Sequence, residues 1–259
     1  MTLVDGRVAR RRAERRARVS IVGVLGELLI TAGVFVLLFL GWQVWLNDLI
    51  VGNEQNNQAA ELSQTWEKGV GATPAAPAPV ERADPGEPLV ATAPDGEDIA
   101  FATMIIPRFG ADWTRQVATG VSIEGSLTEG VGHYTGTAMP GGVGNAAFAA
   151  HRTGWGQPFG DIGNFQVGDH IYLETEAGWY QYSVRSLEYV MPTGVDVIDP
   201  VPQFPGATPT DRLITLTSCN PKLTAAERII VYGVYDTWYP RAGGAPTEIA
   251  TVAQASAAR

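Results

Sequence analysis

The stretch from Leu28 to Trp45 contains eighteen consecutive residues without a charge, most of them apolar. Between Val19 and Leu46 the one charged residue is Glu27. At 1.5 Å rise per residue, eighteen helical residues span roughly 27 Å, and the residues before Glu27 extend the helix past the ~30 Å hydrocarbon core of a bilayer. The sequence therefore predicts one transmembrane helix, and residues 19–46 are assigned to it.

Charges on the two sides of this segment predict its orientation. The first 18 residues carry a net charge of +5, whereas the rest of the chain carries −14, since the whole carries −9. The positive-inside rule places residues 1–18 in the cytoplasm, and Trp42 and Trp45 suit the outer interface. We expect a single-pass cell-membrane protein with an extracytoplasmic body. The arginines of the cytoplasmic segment are Arg7, Arg10, Arg11, Arg12, Arg15, Arg16 and Arg18.

Two alternatives to a membrane anchor are a cleaved signal peptide and a buried core helix. A signal peptide has an apolar region of ~7–15 residues and a small-residue cleavage site, which Trp42–Leu46 does not offer. A core helix would not carry the flanking arginines. The acidic body also argues against nucleic acid as a partner, because phosphate binding needs clustered basic residues.

The remaining residues divide by composition. Residues 47–97 read as a juxtamembrane segment, with a short helix within Asn53–Lys68, followed by a proline- and alanine-rich linker. Residues 98–240 contain many short β-branched runs separated by turn residues, which predicts one all-β domain, either a barrel or a sandwich. The alanine-rich tail, residues 241–259, is expected to be disordered.

Cys219 is the single cysteine of the chain, so it cannot form an internal disulfide. It ends a β-branched run that begins at Arg212, and Asn220-Pro221 breaks the strand after it. Alternation puts Thr215 and Thr217 on the same face as Cys219. A thiol at a strand end, beside a turn, is either a packed core residue or a reactive nucleophile.

A cysteine nucleophile needs a proton-transfer partner and a group that stabilises the oxyanion. Among three histidines, His151 follows a strand of small residues and leaves it at the tip, as Cys219 leaves its own strand. His133 lies in a glycine-rich loop and His170 enters a strand at the surface. The strand after Cys219 begins at Arg228, so antiparallel pairing of the two strands would place Arg228 almost opposite Cys219. There it either holds an oxyanion or caps a solvated edge.

Two motifs resemble the signature of sortases, the cysteine transpeptidases of Gram-positive surfaces. Thr215–Cys219 resembles the T-L-x-T-C motif, and Gly132–Thr137 with Gly144–Arg152 resembles the blocks that precede and carry the sortase histidine. Arg228 matches the family arginine. The resemblance implies an all-β, closed, eight-stranded sortase β-barrel with short helices, preceded by the transmembrane helix.

The resemblance also implies a function. Cys219, His151 and Arg228 would be catalytic, and Tyr134, Thr217 and Ser218 would contact substrate. The enzyme would cut a sorting signal of secreted proteins between threonine and glycine, form a thioester, and pass the acyl group to a cell-wall peptidoglycan precursor amine, with no cofactor and no metal. The linker and the Gly-His-Tyr block are most similar to class E, which favours L-A-x-T-G over L-P-x-T-G.

Two departures and two alternatives accompany this interpretation. Ser218 replaces the usual threonine before the cysteine, and Asn220 stands where relatives often have histidine. Asp84-Pro85-Gly86 is not followed by an aromatic plug, so no pilin-type lid is expected. A cysteine hydrolase on the same barrel, or a non-catalytic binding module with Cys219 as packing, are the other functions considered.

Overall fold

The computed structural model describes residues 20–70 and 85–257. The chain divides into two compact units, Met1–Leu46 and Asn47–Arg259. The arginine-rich segment, the centre of the predicted linker and the last two residues lie outside the described residues. The orientation predicted from those arginines therefore stays a prediction.

The first unit contains the apolar segment as helix α1, Ile21–Gly41, followed by one π-helical turn, Trp42–Leu46. Ser20 caps the helix, because its hydroxyl accepts a hydrogen bond from the Gly23 amide. At 1.5 Å per residue the helix is about 32 Å long. None of its residues is buried, and it is long and apolar enough to cross a membrane.

The second unit begins with helix α2, Asn47–Val70, which is longer than the short helix expected within residues 53–68. One face of α2 is buried against the β-domain and carries Gln55, Ala59, Ala60 and Ser63. The alanines allow close approach, and the two polar side chains are hydrogen-bonded to partners far along the chain. Helix α2 is thus part of the folded domain.

Eight strands close into a barrel in the order β1-β2-β3-β4-β7-β8-β6-β5, which confirms the predicted fold. Because the last strand pairs with the first, no strand is left with an unpaired edge. Strand β4 pairs in parallel with β7, and β7 pairs antiparallel with β8. The strands are β1 Ala100–Ile105, β2 Thr114–Thr119, β3 Val131–His133, β4 Gly144–Ala150, β5 His170–Thr175, β6 Gly178–Val190, β7 Arg212–Asn220 and β8 Glu227–Pro240. Short helix α3, Ser126–Glu129, lies between β2 and β3.

Alternate residues of these strands fill the barrel interior. Phe148 of β4, Leu216 of β7 and Val231 of β8 are all fully buried in the same apolar cluster. The residues between them point outward, and part of that outer face is covered by the connection from β6 to β7. There Val197 packs on Ile230 and Tyr232.

The C-terminal segment differs from the disorder that its composition predicts, over residues 241–257. Helix α4, Ala250–Ala257, follows two short helical turns, and Ile249 is fully buried beside Tyr172. Arg241 is buried and its guanidinium forms an ion pair of 2.8 Å with the buried Glu174. Composition could not indicate this docking, because the partners lie on distant strands.

Residues 85–91 of the predicted linker also lie against the barrel. The Trp238 indole donates a 3.2 Å hydrogen bond to the Gly86 carbonyl, and the Ala91 amide donates one of 3.0 Å to Pro140. The Tyr180 hydroxyl donates to the Leu89 carbonyl. The free spacer predicted after the short juxtamembrane helix is therefore not seen at its C-terminal end.

Candidate active site

Strand register brings the ends of β4, β7 and β8 to one level. In the parallel pair, Ala147 lies opposite Thr215 and Ala149 opposite Thr217. Two residues further, the same register brings His151 to the level of Cys219. In the antiparallel pair Cys219 lies opposite Arg228, as the sequence predicted. His151, Cys219 and Arg228 thus occupy adjacent positions across three neighbouring strands, which we call the His–Cys–Arg row.

The row lies on the outer face of the barrel. Leu216 of β7 and Ile229 of β8 are buried in the interior cluster, and strand alternation turns Cys219 and Arg228 the other way. The Cys219 thiol is free and half-buried. A half-buried thiol on the outside of a closed barrel is accessible to a large ligand, which the packed interior could not admit.

His151 has an unusual environment for a half-buried histidine. Its Nε2 atom is buried, yet within the described part of the chain it has no hydrogen-bond partner. Desolvation lowers the pKa of His151 below its usual value. The imidazole is therefore predominantly neutral at pH 7, with a ring nitrogen available for proton transfer.

Arg228 is fixed at the start of β8 by backbone carbonyls. Its Nη1 donates hydrogen bonds of 3.1 Å to Ala225 and 2.9 Å to Glu227. Among the described residues the guanidinium forms no ion pair with a carboxylate. Its positive charge and its other N–H groups are thus available to a ligand.

Tyr134 and Thr217 lie beside the row, whereas Ser218 does not. The Tyr134 hydroxyl is 3.0 Å from the Thr217 hydroxyl, so its side chain reaches across β4, which lies between β3 and β7. Ser218 points into the barrel and donates a 2.7 Å hydrogen bond to the Ala150 carbonyl. The structure brings Tyr134 and Thr217 to the site and gives Ser218 a role in joining β7 to β4.

Arg152, which the sequence reasoning gave no role, joins the ends of the strands that carry the row. Its Nη1 donates to the Asn220 side-chain oxygen and, over 3.3 Å, to the Cys219 carbonyl. The Asn220 amide in turn donates a 2.9 Å hydrogen bond to Glu227. Arg152 directly follows His151 in the chain, and this adjacency is the signal that could have identified it. The network fixes the backbone around the thiol.

The other two histidines are engaged elsewhere. His133 is buried, and its Nε2 lies 2.9 Å from the Ala138 carbonyl oxygen. His170 forms a 2.6 Å ion-pair contact with Glu248 at the surface. In the described residues, no group of three or more histidine, cysteine, aspartate or glutamate side chains could hold a metal ion.

Comparison with known proteins identifies the family. The family model of the sortase domain matches residues 104–236, about half of the chain. Sortase SrtE1 of Streptomyces coelicolor is 35% identical over 248 residues, which are 92% of this chain and 64% of SrtE1. This chain therefore spans just under two thirds of the length of that relative.

Two solved structures extend the comparison. Sortase E from Streptomyces avermitilis superposes with a TM-score of 0.54 and 37% identity, covering 60% of this chain and 99% of that one. Sortase E1 from Streptomyces coelicolor, solved with a tripeptide in its active site, has a TM-score of 0.54 and 36% identity, with 61% and 99% covered. The resemblance found in the motifs is confirmed: the chain belongs to the sortase family of cysteine transpeptidases, and its relatives include class E sortases.

Proposed function

We propose that this protein is a membrane-anchored class E sortase that cleaves a C-terminal L-A-x-T-G or L-P-x-T-G signal between threonine and glycine. It holds the threonine acyl group as a Cys219 thioester and transfers it to an amine of the cell-wall precursor. The observation that carries the proposal is the His–Cys–Arg row, which provides a nucleophile, a proton carrier and an oxyanion donor on adjacent strands.

In the acylation step the Cys219 sulfur attacks the threonine carbonyl while His151 accepts the thiol proton. The C–N bond to glycine then breaks, and His151 gives the same proton to the departing glycine amine. An imidazole that starts neutral can accept the thiol proton and then donate it as an imidazolium, and burial favours the neutral starting form in His151. The products of this step are a thioester and a free glycine amine.

In the second step an amine attacks the thioester carbonyl. His151 accepts a proton from the attacking nitrogen and returns it to the Cys219 sulfur as the C–S bond breaks. Each step passes through a tetrahedral oxyanion, for which the free N–H groups of Arg228 provide donors. The cycle ends with an amide bond and the original thiol, so it needs neither cofactor nor metal.

The substrate groove that we propose lies on the outer face at the Cys219 end of β7, because the connection from β6 to β7 covers Ile230 and Tyr232 of β8. Val190, the last residue of β6, pairs with Arg228, so the connection from β6 to β7 begins at the level of the row. This connection carries the exposed apolar side chains Met191, Val195 and Phe204. They provide a surface for the apolar leucine of a sorting signal, with Tyr134 on the opposite side.

The partners and location follow from the same proposal. Helix α1 would anchor the enzyme in the cell membrane with its N-terminus in the cytoplasm. The catalytic barrel would then lie outside, where secreted proteins bearing a sorting signal and the peptidoglycan precursor amine meet. Sortase E1, which was solved with a tripeptide in its active site, supports a peptide as the substrate class.

The proposal is tested with the full-length chain in detergent, an L-A-x-T-G peptide and a diglycine amine. We expect a ligated peptide by mass spectrometry and a thioester adduct on Cys219 when the amine is omitted. Cys219→Ala is the matched control and should form neither. Hydrolysis without ligation would indicate a cysteine hydrolase, and no turnover of any signal peptide would favour a binding module.

A further inference from the structure

The turn that follows His151 has a strained backbone. Four consecutive residues, 154–157, have φ values of 70°, 54°, 74° and 45°, all in the left-handed region. Glycine adopts this region freely, but Trp155 and Gln157 carry a Cβ that disfavours it. We call residues 154–157 the Trp155 turn. A strained turn of this kind persists only where its surroundings hold it.

Helix α2 provides that support. The buried Gln55 side chain donates a 2.9 Å hydrogen bond to the Trp155 carbonyl. Asp48 accepts a 3.3 Å hydrogen bond from the Gly156 amide and a second from the Gln157 side-chain amide. Each of the three residues from 155 to 157 is thus held by a side chain of α2.

The same face of α2 fits the turn at close range. A Cβ added to Gly156 would lie 2.9 Å from the Gly52 nitrogen and 3.1 Å from its Cα, closer than side-chain atoms normally approach a backbone. Residues 48, 52 and 55 follow helical spacing and line one side of α2. We call Asp48, Gly52 and Gln55 the helix clamp.

The Trp155 turn in turn contacts the His–Cys–Arg row. The Trp155 ring lies nearly parallel to the His151 ring, with an interplanar angle of 27° and 6.4 Å between centroids. Among the described residues no hydrogen bond holds the His151 imidazole, although a catalytic base is ordinarily oriented by a third polar group. Packing against Trp155 is therefore a contact that can orient the ring in place of a hydrogen bond.

We infer that the helix clamp and Trp155 are positioning residues that hold the His151 imidazole in line with Cys219. This inference rests on the proposed function, because it assigns the clamp to the same acyl-transfer site. Helix α2 is then a part of the catalytic unit and not a spacer between the apolar segment and the barrel. Half of the Trp155 side chain remains exposed, so its removal leaves the barrel core intact.

The test compares full-length variants by kcat and KM for the L-A-x-T-G peptide. We expect Gln55→Ala and Trp155→Ala to lower kcat by roughly 10- to 100-fold, the range expected for a misplaced catalytic group. KM should stay within about twofold of the parent value, because the proposed peptide contacts on β7 and on the connection from β6 to β7 are unchanged. Trp155→Phe keeps an aromatic ring at this position and should recover most of the kcat.

Ser63→Ala is the matched control. Ser63 lies two turns further along α2 and donates a 2.7 Å hydrogen bond to Glu174, away from the Trp155 turn. The Ser63→Ala variant weakens the packing of α2 but leaves the helix clamp unchanged, so its kcat should equal that of the parent. A parent-like kcat in Gln55→Ala, or an equal loss of kcat in Ser63→Ala, would overturn the inference.

A second measurement separates this inference from the proposed function. From the stacked geometry we expect the ring current of Trp155 to shift the His151 Cε1 proton resonance. Gln55→Ala should change that shift, whereas Ser63→Ala should leave it in place. If the parent chain ligates no peptide, the proposed function fails. The resonance then still decides whether the clamp holds the imidazole, since an unchanged shift in Gln55→Ala contradicts it.

Discussion

Strand β3 ends at His133, and the neighbouring strand β4 releases His151 one residue past its end, yet the two imidazoles have opposite surroundings. His133 packs between Phe101 and Phe148, with centroids 5.7 and 5.1 Å away. Its Nε2 contacts the Ala138 carbonyl, which can only accept, so this nitrogen carries the proton. The buried Nε2 of His151 has no hydrogen-bond partner in the described residues.

Burial lowers the pKa of both histidines, so the direction of the shift does not distinguish them. What distinguishes them is the use of the ring nitrogens. The Nε2 hydrogen bonds of His133 fix its tautomer and stabilise the fold, whereas a ring nitrogen without such a bond can accept and release a proton without breaking a native hydrogen bond. The comparison shows that hydrogen-bond satisfaction, more than burial, separates a structural histidine from a candidate base.

The largest expected effect is the loss of turnover in His151→Gln. Glutamine has similar volume and polarity but cannot carry the proton, so kcat should fall by about 10²- to 10⁴-fold. The thermal midpoint should change little, because the buried Nε2 of the His151 side chain makes no hydrogen bond within the described residues. Peptide ligation and differential scanning fluorimetry measure the two quantities. A variant with kcat within threefold of the parent, a margin of about 0.6 kcal/mol, would contradict the assigned base.

The converse change is His133→Phe, which should lower the stability of the fold and leave kcat unchanged. It removes the hydrogen-bond donor to the carbonyl of the half-buried Ala138, a loss of about 1–3 kcal/mol, or roughly 2–12 °C in the thermal midpoint for a domain of this size. His170→Phe is the matched control, since it removes an exposed ion pair worth only about 0–1 kcal/mol. Equal midpoints for the two variants would show that the His133 contacts do not stabilise the fold.

The sequence predicted the row because the necessary signals are local. β alternation and pairing of consecutive strands place Arg228 opposite Cys219 without any knowledge of the rest of the barrel. His151 was assigned from its position at a strand tip, and the parallel pairing of β4 with β7 then explains why the two tips meet. The motif alone suggested that Ser218 contacts substrate, but strand alternation turns its side chain into the barrel.

The sequence could not predict the docking of α2 or of the C-terminal segment. Gln55 and Ser63 read as solvated positions of a polar helix, since their partners Trp155 and Glu174 lie at least a hundred residues further on. Buried polar residues weaken the amphipathic pattern that identifies a packed helix. For the same physical reason, the burial of Arg241 in the C-terminal segment could not be predicted from the sequence.

The pH dependence of stability tests both histidines together. Each has a lowered pKa in the folded state, so below about pH 6.5 the unfolded chain binds protons that the folded chain does not. Their contribution to stability is therefore present above that pH and is lost as the pH falls toward the folded pKa values. His133→Phe removes one such group. When the pH is lowered from 7.5 to 5, the urea concentration at the unfolding midpoint should therefore fall less for this variant than for the parent. Urea titrations at both pH values measure this, and an equal or steeper fall would contradict it.

The smallest expected effect concerns Tyr134, which follows His133 in sequence but lies on the outer face beside the row. Tyr134→Phe removes the hydroxyl that lies 3.0 Å from Thr217, a change of about 0.5–1.5 kcal/mol in stability. Because Thr217 also donates to the Phe148 carbonyl over 3.3 Å, its own position is retained and kcat should stay near the parent value. If Tyr134 contributes to the preference for L-A-x-T-G, the ratio of kcat/KM for the L-A and L-P peptides should fall in this variant. Competition between the two peptides in one reaction measures that ratio directly. An unchanged ratio would show that the Tyr134 hydroxyl serves only to connect the loop after β3 with β7 and does not affect substrate preference.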